Sequence, residues 1–344
     1  MRAVQFAGYG AAPRLVEVPA PRCPADGVVI EVRATGLCRS DWHAWRGHEP
    51  VALPHVPGHE LAGVVAATGP AVRSWSVGDR VTVPFVLGCG ACPQCRDGEA
   101  QVCVDQRQPG FTGPGSFAER VAVERADFNL VALPDSLDFV DAASLGCRFA
   151  TAFRALTVHG RVAAGQWVAV FGCGGVGLSA VIIATALGAR VVAVDVSAAA
   201  LARAAHCGAM EVLEVSEATD TAAAVRTATG GGAHASVDAI GSAATVVASV
   251  MSLRPRGRHL QVGLLHGADS TPALPMDRVI AHELEIHGSH GMAARDYPAM
   301  LDLVVSGALR PARLVGRVIP LDMAPRALAE MDGADANGIT VITP

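Results

Sequence analysis

Aromatic side chains are scarce in this sequence, at 4% of 344 residues, so the core must be built from Ala, Val, Leu and Ile. Basic runs are absent and the net charge is only −5, which leaves a nucleic-acid partner without electrostatic support. Charged residues make up 17% and apolar residues 51%, which excludes a disordered chain and fits a well-buried enzyme. The opening stretch "MRAVQFAGYGAAPRL" lacks the apolar run of a secretory signal. The nine cysteines are therefore expected in a reducing, cytoplasmic setting, where metal binding is favoured over disulfides. One uncharged stretch, "WVAVFGCGGVGLSAVIIATALGA" (167–189), is long enough to span a bilayer. Its glycines gather between Gly172 and Gly177, however, and divide it into a β-branched run and a helical run. A strand, turn and helix is the better reading, and no membrane partner is expected.

The length suggests about two domains. The first half is punctuated by Gly and Pro between short alternating runs, "GVVIEVRATG" (27–36), "ELAGVVAATG" (60–69) and "GDRVTVPF" (78–85). That is the texture of an irregular antiparallel barrel. From about Gly165 strands alternate with helices: strands at 167–171, 190–195, 211–215, 235–240, 258–263 and 284–288, with helices at 176–187, 197–207, 242–253 and 276–283. This pattern predicts an α/β fold with a parallel, doubly wound six-stranded sheet. The segment after about residue 290 turns Pro-rich again and is expected to return to the first domain.

Gly172, Gly174 and Gly177 stand in G-x-G-x-x-G spacing, with Gly175 and Val176 inside the turn. The first glycine makes the tight turn and the second lets backbone approach a pyrophosphate. The third allows close packing of helix on strand. The motif follows a β-branched strand and opens a helix. Asp195 ends the next strand 23 residues after Gly172, the usual spacing for a carboxylate that binds the adenosine ribose. A 2′-phosphate would face that carboxylate, and no basic residue lies within seven positions after it, so NAD is preferred and NADP is the alternative. Asp195 could also cap the helix that follows.

Two groups of metal-ligand residues stand out. Cys89, Cys92, Cys95 and Cys103 lie within one loop of fifteen residues and can close a tetrahedral shell around a structural zinc, with an iron–sulfur centre as the alternative. The second group is dispersed. "GLCRSDWH" concentrates Cys38, Arg39, Ser40, Asp41 and His43, "PGHELAG" supplies His59 and Glu60, and "LGCRFATAF" supplies Cys147. Cys23, Cys173 and Cys207 have no partner pattern and read as packing residues.

These segments, together with "VGDRV", the four-cysteine loop and "FGCGGVG" followed by Asp195, resemble the zinc-dependent medium-chain alcohol dehydrogenases nearly end to end. The resemblance implies a GroES-like β-barrel catalytic domain from 1–148 together with 290–344, interrupted by a Rossmann domain at 149–289. It implies two zinc ions per chain, the catalytic one held by Cys38, His59 and Cys147 with a fourth position left open. Glu60 would stand behind the metal and swing toward it, and Asp41 would orient His59. Ser40 would take the alcohol proton and pass it through the nicotinamide ribose to His43. Arg39 would meet the pyrophosphate and Thr151 would pack on the nicotinamide, with Val262 and Leu264 as further cofactor contacts.

Reversible hydride transfer between NAD(P) and a primary or secondary alcohol, giving the aldehyde or ketone, is the implied activity. A polyol or aldehyde-adduct dehydrogenase on the same scaffold is the alternative, and a non-catalytic nucleotide-binding relative is another. A homo-oligomer, tetramer or dimer, is expected by resemblance. Two departures are visible. Relatives place a lysine where Ala200 stands, so Arg203 is the candidate replacement. Arg148 follows Cys147 where small residues are common, and it either offers a basic group to the cleft or pairs with an acid. Trp42 and Phe85, with Leu264, are expected to line an apolar substrate pocket.

Overall fold

The computed structural model describes residues 1–333 and 338–344. Its two large sheets differ in the way their sequences predict. Six strands run parallel in the order Glu211–Glu214, Arg190–Asp195, Trp167–Phe171, Ala233–Asp238, Leu253–Gln261 and Glu285–Gly288. Parallel strands are covered on both faces and so read as continuous apolar runs. Trp167–Phe171 is buried at every position, and Arg190–Asp195 is buried at four of six. The helix Gly175–Ala186 follows the first of these strands directly, so residues 167–189 form a strand, turn and helix. No helix among the described residues is long and apolar enough to cross a membrane.

Two strands end earlier than their apolar runs do. The N–H groups of Ile240 and Gly241 both donate to the Asp238 carboxylate, and those of Val262 and Gly263 turn onto the Asp238 carbonyl. Asp238 thus closes the ladder and shapes the loops at the carboxyl edge of the sheet. The strand order reverses between Trp167–Phe171 and Ala233–Asp238, which opens a crevice at that same edge.

The second sheet has seven strands and is largely antiparallel, and its central strand is Val28–Leu37. Glu60–Thr68 pairs with it in a register that sets Gly36 opposite Glu60. The C-terminal strand Ile339–Thr343 pairs with its other side, Thr340 opposite Leu37. The chain therefore comes back to its first sheet at the end. Both neighbours converge on the same tip of Val28–Leu37, and the helix Arg39–Arg46 begins immediately beyond it. The third strand element that matters is not a strand at all. Leu145–Phe149 is a widened helical turn, broken by Gly146 at φ −57°, ψ −125°, and it lies against Glu60. A Cβ on Gly36 would fall 2.3 Å from the Glu60 carboxylate, so close approach there requires glycine.

Candidate active site

The strand register brings the dispersed ligand residues together. With Gly36 paired to Glu60, Cys38 and His59 leave their strands side by side, and the turn at 145–149 supplies Cys147. One ligand atom each from Cys38, His59, Glu60 and Cys147 lies within 4.8 Å of the others. Asp41, fully buried, accepts from the Cys38 N–H at 2.9 Å, the Gly58 N–H at 3.0 Å and His59 Nδ1 at 2.9 Å. It thereby fixes both the backbone ends and the imidazole tautomer. The other ring nitrogen, His59 Nε2, is buried with no hydrogen-bond partner among the described residues. The Cys147 thiol hydrogen-bonds the Cys38 sulfur, which holds Cys38 well below the ordinary thiol range and pushes Cys147 well above it. An orphaned imidazole nitrogen beside two thiols that share a proton fits a soft divalent cation.

Arg148 is drawn to the carboxylate behind this cluster. Its Nε and backbone N–H donate to Glu60 Oε1 at 3.1 and 3.0 Å, its Nη2 pairs with Oε2, and its Nη1 donates to the Leu37 carbonyl at 3.0 Å. Of the two fates open to Arg148, pairing with an acid is therefore the one taken, although the guanidinium still borders the cleft. Burial pushes the Glu60 carboxyl upward and Arg148 opposes it. Three N–H donors on one carboxylate favour its charged form and so work against that burial.

Cys89, Cys92, Cys95 and Cys103 form a separate cluster in their own loop. Their sulfurs stand 3.9 Å apart for Cys89 and Cys95 and 3.7 Å for Cys92 and Cys103. Zinc–sulfur bonds of about 2.3 Å give a tetrahedral edge of about 3.8 Å. Backbone N–H groups of Ala91, Cys92, Cys95 and Asp105 donate to these sulfurs, as expected for thiolates.

A cleft of about 1420 Å³ joins the first cluster to the glycine-rich turn. Its walls include Arg39, Ser40, His43, Thr151, Gly172, Gly174, Gly175, Val176, Asp195, Arg203, Val262 and Leu264. A Cβ on Gly174 would meet nothing, which leaves room for a ligand, whereas a Cβ on Gly177 would fall 1.7 Å from the Gly172 carbonyl. Gly177 therefore serves helix–strand packing and does not line the cleft. Asp195 does not cap the next helix. Ser197 does, accepting from the Ala200 N–H at 3.3 Å. The Asp195 carboxylate instead accepts from Cys173 N–H at 2.7 Å and Ser197 N–H at 2.9 Å, which ties the glycine turn to the neighbouring strand. The chain contains no lysine, so only arginine can supply a cation here; Arg203 reaches the cleft while its Nη2 donates to the Arg313 carbonyl at 3.4 Å. Arg39 donates to the Met331 carbonyl at 2.9 Å. Thr151 accepts from the Gly291 N–H at 3.2 Å, which fastens the segment after the last parallel strand to the site.

Two expectations about the pocket are corrected. Trp42 does not line the cleft. Its ring lies under the Arg39 and Arg46 guanidiniums, at 5.1 and 5.7 Å, and packs against the core around Trp45 and Leu37. The helix Arg39–Arg46 gives its cleft side to Arg39, Ser40 and His43, so Trp42 falls to the flank. Nor is the wall purely apolar. Phe85 is there, 6.1 Å from His59 between ring centroids, but Glu49, Gln108, Phe111 and His290 join it. None of these four belongs to a motif; they reach the cleft from three loops, Gln108 and Phe111 sharing one turn. His43 is half-buried, with Nδ1 2.9 Å from His48 Nδ1 and its ring 4.7 Å from that of His266. Burial, then the charges of His266, His48 and Arg39, lower its pKa to about 4.

Comparison with known proteins agrees with this geometry. Residues 24–135 match a family model described as alcohol dehydrogenase GroES-like domain, and residues 175–306 match one described as zinc-binding dehydrogenase. An alcohol dehydrogenase of Geobacillus stearothermophilus is 34% identical over 95% of this chain and 94% of its own. Among solved structures, the alcohol dehydrogenase TADH from Thermus sp. ATN1 superposes with a TM-score of 0.92 at 32% identity, over 100% of this chain and 99% of that one. An NAD-dependent alcohol dehydrogenase superposes with a TM-score of 0.90 at 31% identity over the whole of both chains.

Proposed function

The chain belongs to the zinc-dependent medium-chain alcohol dehydrogenase family, and on that footing we propose that it catalyses reversible hydride transfer between a primary or secondary alcohol and NAD. The observation that carries this reading is the unpartnered His59 Nε2, facing the Cys38 and Cys147 sulfurs at the end of the cleft that holds the glycine-rich turn. Those three residues would hold a zinc ion, whose Lewis acidity lowers the pKa of a bound hydroxyl toward neutrality. The nicotinamide supplies the hydride acceptor.

The chain's own residues do the rest. Asp41 keeps the His59 proton on Nδ1, so Nε2 stays a lone-pair donor. Ser40 borders the cleft two residues after Cys38 and takes the alcohol proton at Oγ. His43 is neutral at working pH and so free to accept that proton in passing, with His48 beside it to take it onward. The Gly174 opening and the amino end of Gly175–Ala186 receive the pyrophosphate, with Arg39 opposite. Asp195 favours NAD, because a 2′-phosphate would be placed against a carboxylate whose two oxygens already accept backbone N–H groups.

The four-cysteine loop would hold a second, structural zinc. We propose a division into 1–148 with 290–344 and 149–289, supported by the sheets and the returning strand Ile339–Thr343. A homo-oligomer fits the exposed Met276, Ile280 and Ile286 near the sheet's free edge. Initial rates on a panel of primary and secondary alcohols, with NAD and NADP side by side, test the proposal. NAD-linked oxidation abolished by Cys38→Ser is expected. Lack of any turnover in protein carrying its metals overturns it.

A further inference from the structure

Buried and half-buried polar side chains are normally hydrogen-bonded, and those left bare in a cavity wall need a reason. One titratable side chain beside the metal-ligand cluster, Glu49, is bare in this way, and an exposed histidine stands with it. Glu49 borders the cleft, half-buried, and among the described residues it makes no hydrogen bond or ion pair. His290, exposed on the cleft wall, borders it as well, with no hydrogen-bond partner among the described residues and its ring edge-on to Phe85 at 5.1 Å. Phe85 in turn lies against His59, and Phe111 lies 5.0 Å from His59 on another side. These residues therefore ring the end of the cleft where the alcohol must sit.

Gln108 adds a third polar group from the same rim. Its side-chain N–H donates to Gln106 Oε1 at 2.7 Å, so its free Oε1 is an acceptor. Burial raises the Glu49 carboxyl and lowers His290, and an imidazole ring nitrogen of His290 can accept as well. The wall thus presents three acceptors, interleaved with two aromatic rings, and two of the arginines that line the cleft are engaged elsewhere, Arg148 on Glu60 and Arg39 on Met331. An n-alkanol would leave the half-buried Glu49 and Gln108 acceptors unmatched. A carboxylate-bearing substrate would face Glu49 directly.

We propose that the preferred substrate is an alcohol carrying a second hydrogen-bond donor, a hydroxyl or an ammonium group, which Glu49, His290 and Gln108 receive. This rests on the proposed alcohol dehydrogenase activity and names its substrate class. A site built to bind a donor rejects the analogue that lacks it far more strongly than an apolar pocket rejects an extra methylene.

The test uses the zinc-loaded enzyme with NAD and three matched series of three to six carbons: n-alkanols, α,ω-diols and ω-amino alcohols. The expected result is a kcat/KM at least about tenfold higher for a diol or an amino alcohol than for the alkanol of equal length. Glu49→Leu and, separately, His290→Leu should each bring that ratio toward one. Glu49→Gln should keep a preference for diols and lose one for amino alcohols, which separates the two donors. Alkanols oxidised as well as or better than both other series overturn the proposal and leave the alcohol dehydrogenase reading standing. A ratio unchanged in both leucine variants also overturns it. No oxidation in any series removes the underlying activity and this inference with it.

Discussion

Arg148 grips both carboxylate oxygens of Glu60 directly behind the metal-ligand cluster, and neither side chain has an alternative partner of opposite charge among the described residues. The carboxylate is fully buried, and Gly36 and Gly146 press against it. Both Glu60 oxygens are held in this clasp, so an excursion of Glu60 must first break contacts to Arg148.

Removing one partner of such a pair leaves a buried charge uncompensated. Arg148→Met is expected to destabilise the fold by about 3–5 kcal/mol, measured by urea denaturation. Adding Glu60→Gln to Arg148→Met should recover most of that loss. A single variant as stable as the parent would show that the pair is dispensable.

Metal content separates the two clusters. Plasma emission analysis of purified protein should find two zinc ions per chain. Cys103→Ser should leave one and lower the melting temperature, because the loop then loses its closing ligand. His59→Ala should also leave one, with turnover abolished and the melting temperature far less affected. Asp41→Asn keeps the ligands but replaces one of the two oxygens that serve Cys38, Gly58 and His59 by a donor, and should weaken the catalytic metal by about 10–100-fold in a chelator competition.

The two glycines that differ in their surroundings should behave differently. Gly177→Ala drives a methyl group into the Gly172 carbonyl and should cost at least about 2 kcal/mol of stability. Gly174→Ala meets no atom within 4 Å among the described residues and should leave stability unchanged. It should nevertheless weaken NADH binding, read by fluorescence titration, because the added methyl occupies the space kept for the dinucleotide.

The acid limb of kcat/KM tests His43. With its pKa lowered to about 4 from the ordinary 6.5, His43 is neutral and able to accept a proton throughout pH 5–8. Activity that depends on it should fall only as pH drops through the region near 4. The double variant His48→Asn, His266→Asn removes two of the charges that depress it, so the limb should move upward. Burial, the largest cause, remains, so the limb should stop short of 6.5. An unmoved limb would assign it to another group.

Local chemistry was legible in the sequence because local spacing is set by backbone geometry. Gly172, Gly174 and Gly177 need only a strand, a turn and a helix in succession, and apolar period reveals all three. Cys89, Cys92, Cys95 and Cys103 lie in one loop, short enough for its own turns to gather the sulfurs. Covered parallel strands advertise themselves as apolar runs, so the six-stranded sheet could be read strand by strand. The precise ends could not, because Asp238 terminates two ladders through side-chain and carbonyl contacts that no apolar pattern encodes.

Only the tertiary structure decided what meets across long separations. The register that sets Gly36 against Glu60 puts Cys38 beside His59, and a one-residue slip would turn every side chain of that strand to the opposite face. The same register seats Glu60 under Arg148, settling a choice that the sequence left open. Trp42 went to the flank of its helix, and Glu49, Gln108 and His290 came into the pocket wall from three loops. Sequence alone specifies which chemical groups are present and how neighbours within a few residues can be arranged. Distant groups are matched by hydrogen-bonded register and packing, whose energies depend on both partners at once, and that is where this pocket acquired its polar wall.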